Sequence, residues 1–240
     1  MLCPTEISRR HFLVLTAGAV GAASLRVAGF EVPTLLDHIL LGSDDLQRGI
    51  AFVAEHTGVR AAFGGVHPGR GTENALLSLG EGRYLEIIAP DPAQPDVNNA
   101  LAPELRSLKE PRLVGWAAHP GDLSGFAEKL RAAGIRFKGP TPGSRKRPDG
   151  RLLEWKTLGL VDDASGLLPF FIEWGSDSPH PSSDAPQGCT LVKFAAETPD
   201  RNRLAATLKL LALNLPLEKG QQPRLLATIT GPKGELRVTS

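Results

Sequence analysis

The chain has little cysteine, little aromatic character and almost no excess of either charge. Its 240 residues include two cysteines, one methionine and one tyrosine; aromatics make up 5% and the net charge is +1. A near-neutral, aromatic-poor chain lacks the basic, stacking surface that nucleic-acid binding requires. There is no glycine-rich nucleotide loop, no Ser-His-Asp arrangement in a recognisable context and no zinc-knuckle spacing. Apart from one N-terminal stretch, no apolar run approaches the roughly 20 residues that a membrane-spanning helix needs.

That stretch has a specific pattern. Ser8-Arg9-Arg10-His11-Phe12-Leu13 opens it, residues 12–25 are apolar and rich in Ala and Gly, and Arg26 closes it. A charged start before a short apolar core reads as a twin-arginine export signal over residues 1–30, with Val27-Ala28-Gly29 as the cleavage region. Cys3 precedes the apolar core, which argues against a lipid anchor. Removing the segment takes away Arg9, Arg10 and Arg26 against Glu6, so the mature chain carries −1. Cys189 is then its one cysteine, no internal disulfide can form, and stability must come from packing. The expected product is an exported protein, periplasmic or extracellular, with no stable membrane anchor.

The remaining residues repeat. Residues 35–41 read as a buried strand, and Ser43-Asp44-Asp45 caps a helix that ends near Gly58. A glycine-rich stretch and two strands at 74–79 and 84–89 follow. The order recurs as a strand at 113–118, a helix from Gly121 stopped at Gly134, and strands at 135–138, 152–160 and 168–174. The two helix starts, Ser43-Asp44-Asp45-Leu46 and Pro120-Gly121-Asp122-Leu123, are 77 residues apart. Two copies at so long a period indicate a duplicated half-barrel rather than a solenoid. Residues 176–188 are polar and proline-rich, a link to a truncated βαββ unit at 189–240. That unit leaves a sheet face and an edge wanting cover, supplied by the flank of the main domain or by a second chain; a homodimer through this unit is the expectation.

The motifs resemble one superfamily. Leu36-Asp37-His38-Ile39-Leu40-Leu41 is similar to the first strand of the vicinal oxygen chelate proteins, closest to their glyoxalase-like branch. The stretches 64–76, 84–89, 147–155 and 169–174 resemble that branch in the same order. The resemblance implies an α+β fold in which two βαβββ modules at 33–175 form a cupped half-barrel. It also implies a metal ligand on the first and fourth strand of each module: His38, Glu86 and Glu173, with Gly115 standing where the fourth should be. His119 has the right parity but lies about 13 Å further along an extended strand.

One imidazole and two carboxylates suit Mn, Fe, Zn or Mg. Such a site could stabilise an enediolate-like charge, with Glu86 or Glu173 acting as the catalytic base. A buried Glu in an apolar strand needs a positive partner, and an Arg would serve as well as a metal. His67, Arg70, Arg147 and Trp155 are the candidate substrate-binding residues. Arg145-Lys146-Arg147 reads either as a solvated loop or as an anion clamp opposite the 67–71 loop. His180 and His119 read as surface or loop residues, Trp174 as core. Two functions stay open. One is an exported, divalent-metal-dependent lyase, isomerase or dioxygenase acting on a small oxygen-rich substrate. The other is a metal-free protein that binds or sequesters a small molecule in the same cup.

Overall fold

In a computed structural model of the chain, the described residues are 32–95, 97, 101–161 and 165–240. The export-signal reading falls on residues outside these. Among the described residues no helix is long and apolar enough to cross a membrane.

The first module runs β1 (Leu36–Gly42), α1 (Leu46–Thr57), β2 (Ala62–His67), β3 (Thr72–Gly80) and β4 (Arg83–Pro90). Asp45 starts α1 by accepting a hydrogen bond from the Arg48 amide, which satisfies one of the donors that every helix N-terminus leaves open. A short helix, α2 (Leu101–Arg106), leads into the second module: β5 (Arg112–Ala118), α3 (Leu123–Ala132), β6 (Phe137–Lys146), β7 (Leu152–Leu160) and β8 (Phe170–Trp174). Asp122 caps α3 in the same way, through the Gly125 amide. All eight strands form one sheet in the order β2-β3-β4-β1-β5-β8-β7-β6. This is the cupped half-barrel of the vicinal oxygen chelate fold.

The 77-residue offset survives in the register of the central pair. β1 and β5 run antiparallel, with Leu36 opposite Ala118, His38 opposite Ala117, Leu40 opposite Gly115 and Leu41 opposite Leu113. Shifting either member of a pair by 77 gives the partner in another pair. Alternation along the strands then sorts the side chains. Ile39, Leu41, Leu85 and Ile87 join the helices on the convex side, while His38, Leu40, Glu86 and Ile88 face the concavity.

Both ends of the concavity are covered. Toward Gly42, Leu105 of α2 and Leu108 pack on Leu40 and Ile88. Toward Asp37, the segment expected as a plain link folds back. It forms a single 3-10 turn at Pro181–Ser183, donates no strand of its own, and seats Ala185 on Leu76, Tyr84 and Trp174. The Pro186 carbonyl also accepts a hydrogen bond from the Ser78 amide.

The C-terminal unit differs from expectation in one strand and in its topology. It comprises β9 (Thr190–Thr198), α4 (Arg201–Leu210), the three-residue β10 (Leu217–Lys219), β11 (Arg224–Gly231) and β12 (Gly234–Thr239). The sheet order is β10-β9-β11-β12, so β9 pairs directly with both β10 and β11, unlike the first strand of either cup module. Phe194, Leu225 and Ile229 are fully buried and belong to the same core as Ile39, Val53 and Trp116. The sheet face that wanted cover is covered within the chain, by the flank of the cup, the first of the two covers expected.

Candidate functional site

The concave face encloses a cavity of ≈490 Å³. Its polar wall comes from the first module. β1 places His38 there, β4 places Glu86, and β2 and β3 contribute His67 and Asn74. His38 is 2% exposed and Glu86 7%. The His38 Nε2 atom lies 3.4 Å from Glu86 Oε2, and His67 Nε2 lies 3.7 Å from Oε1. The Asn74 side-chain amide donates to Oε1 at 2.7 Å.

Asp37 sits behind His38 and orients it. Its Oδ1 lies 2.7 Å from His38 Nδ1, and its Oδ2 accepts from Trp174 Nε1 at 3.1 Å and faces His180 Nε2 at 3.2 Å. Burial works to raise the Asp37 pKa, but the hydrogen bonds and charges of His180 and His38 outweigh it and hold the carboxyl far below the usual range. An ionised Asp37 fixes a proton on His38 Nδ1, so Nε2 is the atom turned toward Glu86. Tyr84 stacks on the His38 ring at 4.5 Å and Phe170 meets it edge-on at 5.5 Å. Burial also works to raise the Glu86 pKa, yet His38, His67, the Asn74 hydrogen bond and Arg145 together bring it below the ordinary carboxylate value. For His67 burial is the leading cause, and it keeps the imidazole neutral at lower pH than usual.

Arg145 supplies the positive charge. It comes from β6, one edge of the sheet, and crosses to β2, the other edge. Its side chain passes over two glycines: a Cβ at Gly64 would stand 3.1 Å from Arg145 Nη1, and one at Gly65 would stand 3.1 Å from the same atom and 2.8 Å from the Lys146 carbonyl. Gly65 also has φ +136, a conformation that side chains rarely adopt. The paired glycines therefore let the guanidinium enter the cup. Arg145 is 3% exposed, lines the cavity, and its Nη1 has no hydrogen-bond partner. No acidic side chain forms an ion pair with it among the described residues.

The sequence expectations divide accordingly. His38 and Glu86 meet in the cup, and His67, Arg70 and Trp155 line it. Glu173 does not join them. It lies on the convex face, where its Oε2 accepts a hydrogen bond from the Leu123 amide at the start of α3, and Lys156 Nζ is 3.7 Å from Oε1. The reason is parity. β4 pairs Glu86 with Leu40 and β8 pairs Phe170 with Ala117, and Ala117 is the repeat counterpart of Leu40. Phe170, not Glu173, is therefore the counterpart of Glu86, and a three-residue offset turns a side chain to the other face. Arg147 is also outside, held by Asp149 and Asp184. His119 Nδ1 lies beside the Ile172 carbonyl at 2.9 Å, away from the cup. His180 is half-buried against Asp37 rather than free on the surface, and Trp174 lines the cavity. Sequence reading missed Asp37, Asn74 and Tyr84, and left Arg145 between two readings.

A resident divalent metal is what the resemblance implied, and this donor set does not fit one. Two of the four strand positions carry Gly115 and Phe170, which offer no ligand atom, and the expected third ligand Glu173 points outward. Among the described residues no group of three His, Cys, Asp or Glu side chains could hold a metal ion.

No curated protein matches the chain. Among solved structures, a hypothetical protein from Staphylococcus aureus is similar at 17% identity, with a TM-score of 0.60 over 85% of this chain and 84% of that one. Methylmalonyl-CoA epimerase from Mycobacterium tuberculosis is 24% identical, with a TM-score of 0.44 over 58% of this chain and 87% of its own. The family profile described as the glyoxalase-like domain matches residues 36–212, which take in both cup modules, the folded-back segment and the first half of the C-terminal unit. The chain belongs to the glyoxalase-like domain family.

Proposed function

We propose that the cup is the active site of an exported isomerase-type enzyme that moves a proton on the carbon next to a carbonyl group in a small, oxygen-rich anion. The observation that carries this reading is the placing of a buried carboxylate, Glu86, and a buried guanidinium, Arg145, in the lining of one cavity. Glu86 takes the proton from the α-carbon, and the released electron pair moves into the carbonyl as an enolate. Arg145 faces the developing negative charge, where low dielectric makes such stabilisation strong. Return of a proton to the opposite face of the same carbon inverts it. Where that carbon bears a hydroxyl, passing the hydroxyl proton to the enolate oxygen and returning the carbon-bound proton to the neighbouring carbon shifts the carbonyl. Nothing else is consumed.

Glu86 begins as a weak base because four neighbours stabilise its charge. A bound anion cancels part of the Arg145 field, which moves Glu86 toward the proton affinity that the step requires. Asp37 keeps His38 in one tautomer beside it. Export rests on the Arg9-Arg10 pattern and the apolar stretch behind it. The second reading, binding without turnover, draws support from the apolar opposite wall of Phe170, Ile172 and Trp174.

Proton exchange tests the proposal with a panel of simple acids in place of the natural substrate. Small 2-oxo and 2-hydroxy acids are incubated with the protein in D2O and followed by proton NMR. Loss of an α-proton signal with the wild type, and not with Glu86→Gln, is the expected result. A panel member that binds but keeps its α-proton would leave only the sequestering role.

A further inference from the structure

The two walls of the cavity are unlike, and the difference follows from the repeat. The first module contributes His38, His67, Asn74 and Glu86. At the counterparts of His38 and Glu86 the second module has Gly115, where an added Cβ would meet nothing within 4 Å, and Phe170. Beside Phe170, Ile172 and Trp174 continue the apolar surface, and Trp155 closes on Trp174 at 5.7 Å. Arg145 stands on the polar side.

A guanidinium that is buried without a contact ion pair is costly, because the charge of Glu86 offsets only part of its desolvation and its Nη1 keeps no hydrogen-bond partner. Glu86 does not compensate it directly, since its two oxygens are turned to Asn74 and His38. The geometry points to an amphiphilic carboxylate as the ligand: the carboxylate against Arg145, and a ring-sized apolar body against Phe170, Ile172 and the Trp155–Trp174 pair. This rests on the active-site reading above and narrows its substrate class. A guanidinium fits a carboxylate better than a neutral oxygen, because charge-assisted bonds are about twice as strong as neutral ones. An aromatic or branched body would displace water from a wall whose Phe170 and Ile172 side chains offer it no partner. Small, fully polar acids would leave that wall wet.

Mandelate, its uncharged amide mandelamide, and lactate are suitable probes. Trp155 and Trp174 line the cavity, so intrinsic fluorescence reports binding. Mandelate should bind about tenfold or more tightly than mandelamide, and more tightly than lactate. Arg145→Gln should bring mandelate down to the mandelamide level, and Phe170→Ala should weaken mandelate by a larger factor than lactate. Arg145→Gln removes a buried, unpaired charge, so the variant should fold, and circular dichroism confirms it. Equal binding of mandelate and mandelamide would overturn the proposal. So would an Arg145→Gln protein that binds mandelate as the wild type does, or wild type that binds neither aromatic probe. Failure here is separable from failure of the proton-transfer reading: tight mandelate binding without exchange sinks only the latter, and exchange confined to small polar acids sinks only the former.

Discussion

Ile39 and Trp116 pair directly across the β1–β5 seam, and each is the other's counterpart in the repeat. The pseudo-twofold axis of the cup therefore passes between them, and both are fully buried. The axis relates backbones but not surroundings. Trp116 donates to the Leu167 carbonyl at 2.9 Å, and on its outer side the ring meets Phe194 of β9 at 5.4 Å. The duplicated sheet thus takes its third unit near its own symmetry axis, on the second module's residue.

Phe194→Ala should cost about 3–5 kcal/mol, the range for emptying an aromatic site in a core. Because the two sheets share one core, urea denaturation followed by tryptophan fluorescence and by circular dichroism should give coincident transitions for wild type and variant. Separate transitions would show that the C-terminal sheet is an independent unit.

Glu173→Gln should leave mandelate binding unchanged and cost no more than about 1 kcal/mol. The carboxylate accepts a hydrogen bond at the start of α3, where a negative charge is worth a few tenths to 1 kcal/mol. A large loss of binding would put Glu173 back in the cup.

Asp37→Asn should destabilise the protein by about 3 kcal/mol or more, measured by denaturant unfolding. One carboxylate serves His38, Trp174 and His180, and an amide cannot accept from all three. The second signature is structural: the hydrogen bond between Asp37 Oδ1 and His38 Nδ1, visible as a protected ring N–H signal in the wild-type NMR spectrum, should weaken in the variant.

Stability should fall in two stages on acidification. The folded His67 pKa lies below the ordinary 6.5, so the unfolded chain takes up its proton first and folding weakens as pH drops through that value. Asp37 and Glu86 are both held below their ordinary 3.8 and 4.5. Their contribution is complete above those values and is lost as pH falls through the lower, folded ones. Urea midpoints between about pH 8 and pH 3 should trace the first stage and the onset of the second, and His67→Gln should remove the first.

The alternation of apolar residues and the two capped helix starts made the cup legible from sequence, down to the 77-residue offset. The site was half legible. His38 and Glu86 sit on strands whose partners and parity the repeat determines. Glu173 misled because a carboxylate in an apolar strand was matched by its neighbours, Ile172 and Trp174, rather than by its register. Arg145 was hidden by composition: a cation that opens an Arg-Lys-Arg run in a Gly/Pro-rich stretch looks solvated. What turns it inward is Gly64-Gly65 on a strand at the far edge of the sheet, a contact that local sequence does not display. β10 is three residues long, too short for any period to register.

The Asp37 carboxylate binds together parts of the chain that are made far apart in time. Its partner His180 lies 143 residues downstream, which at 5–20 residues per second is a wait of roughly seven to thirty seconds during synthesis. Until then a charged group destined for burial stays with its neighbour His38 alone, and Trp174 arrives only shortly before His180. The cup is therefore closed by its last-made segment. A chain cut short before residue 180 would have every strand of the cup but not the segment that covers its floor.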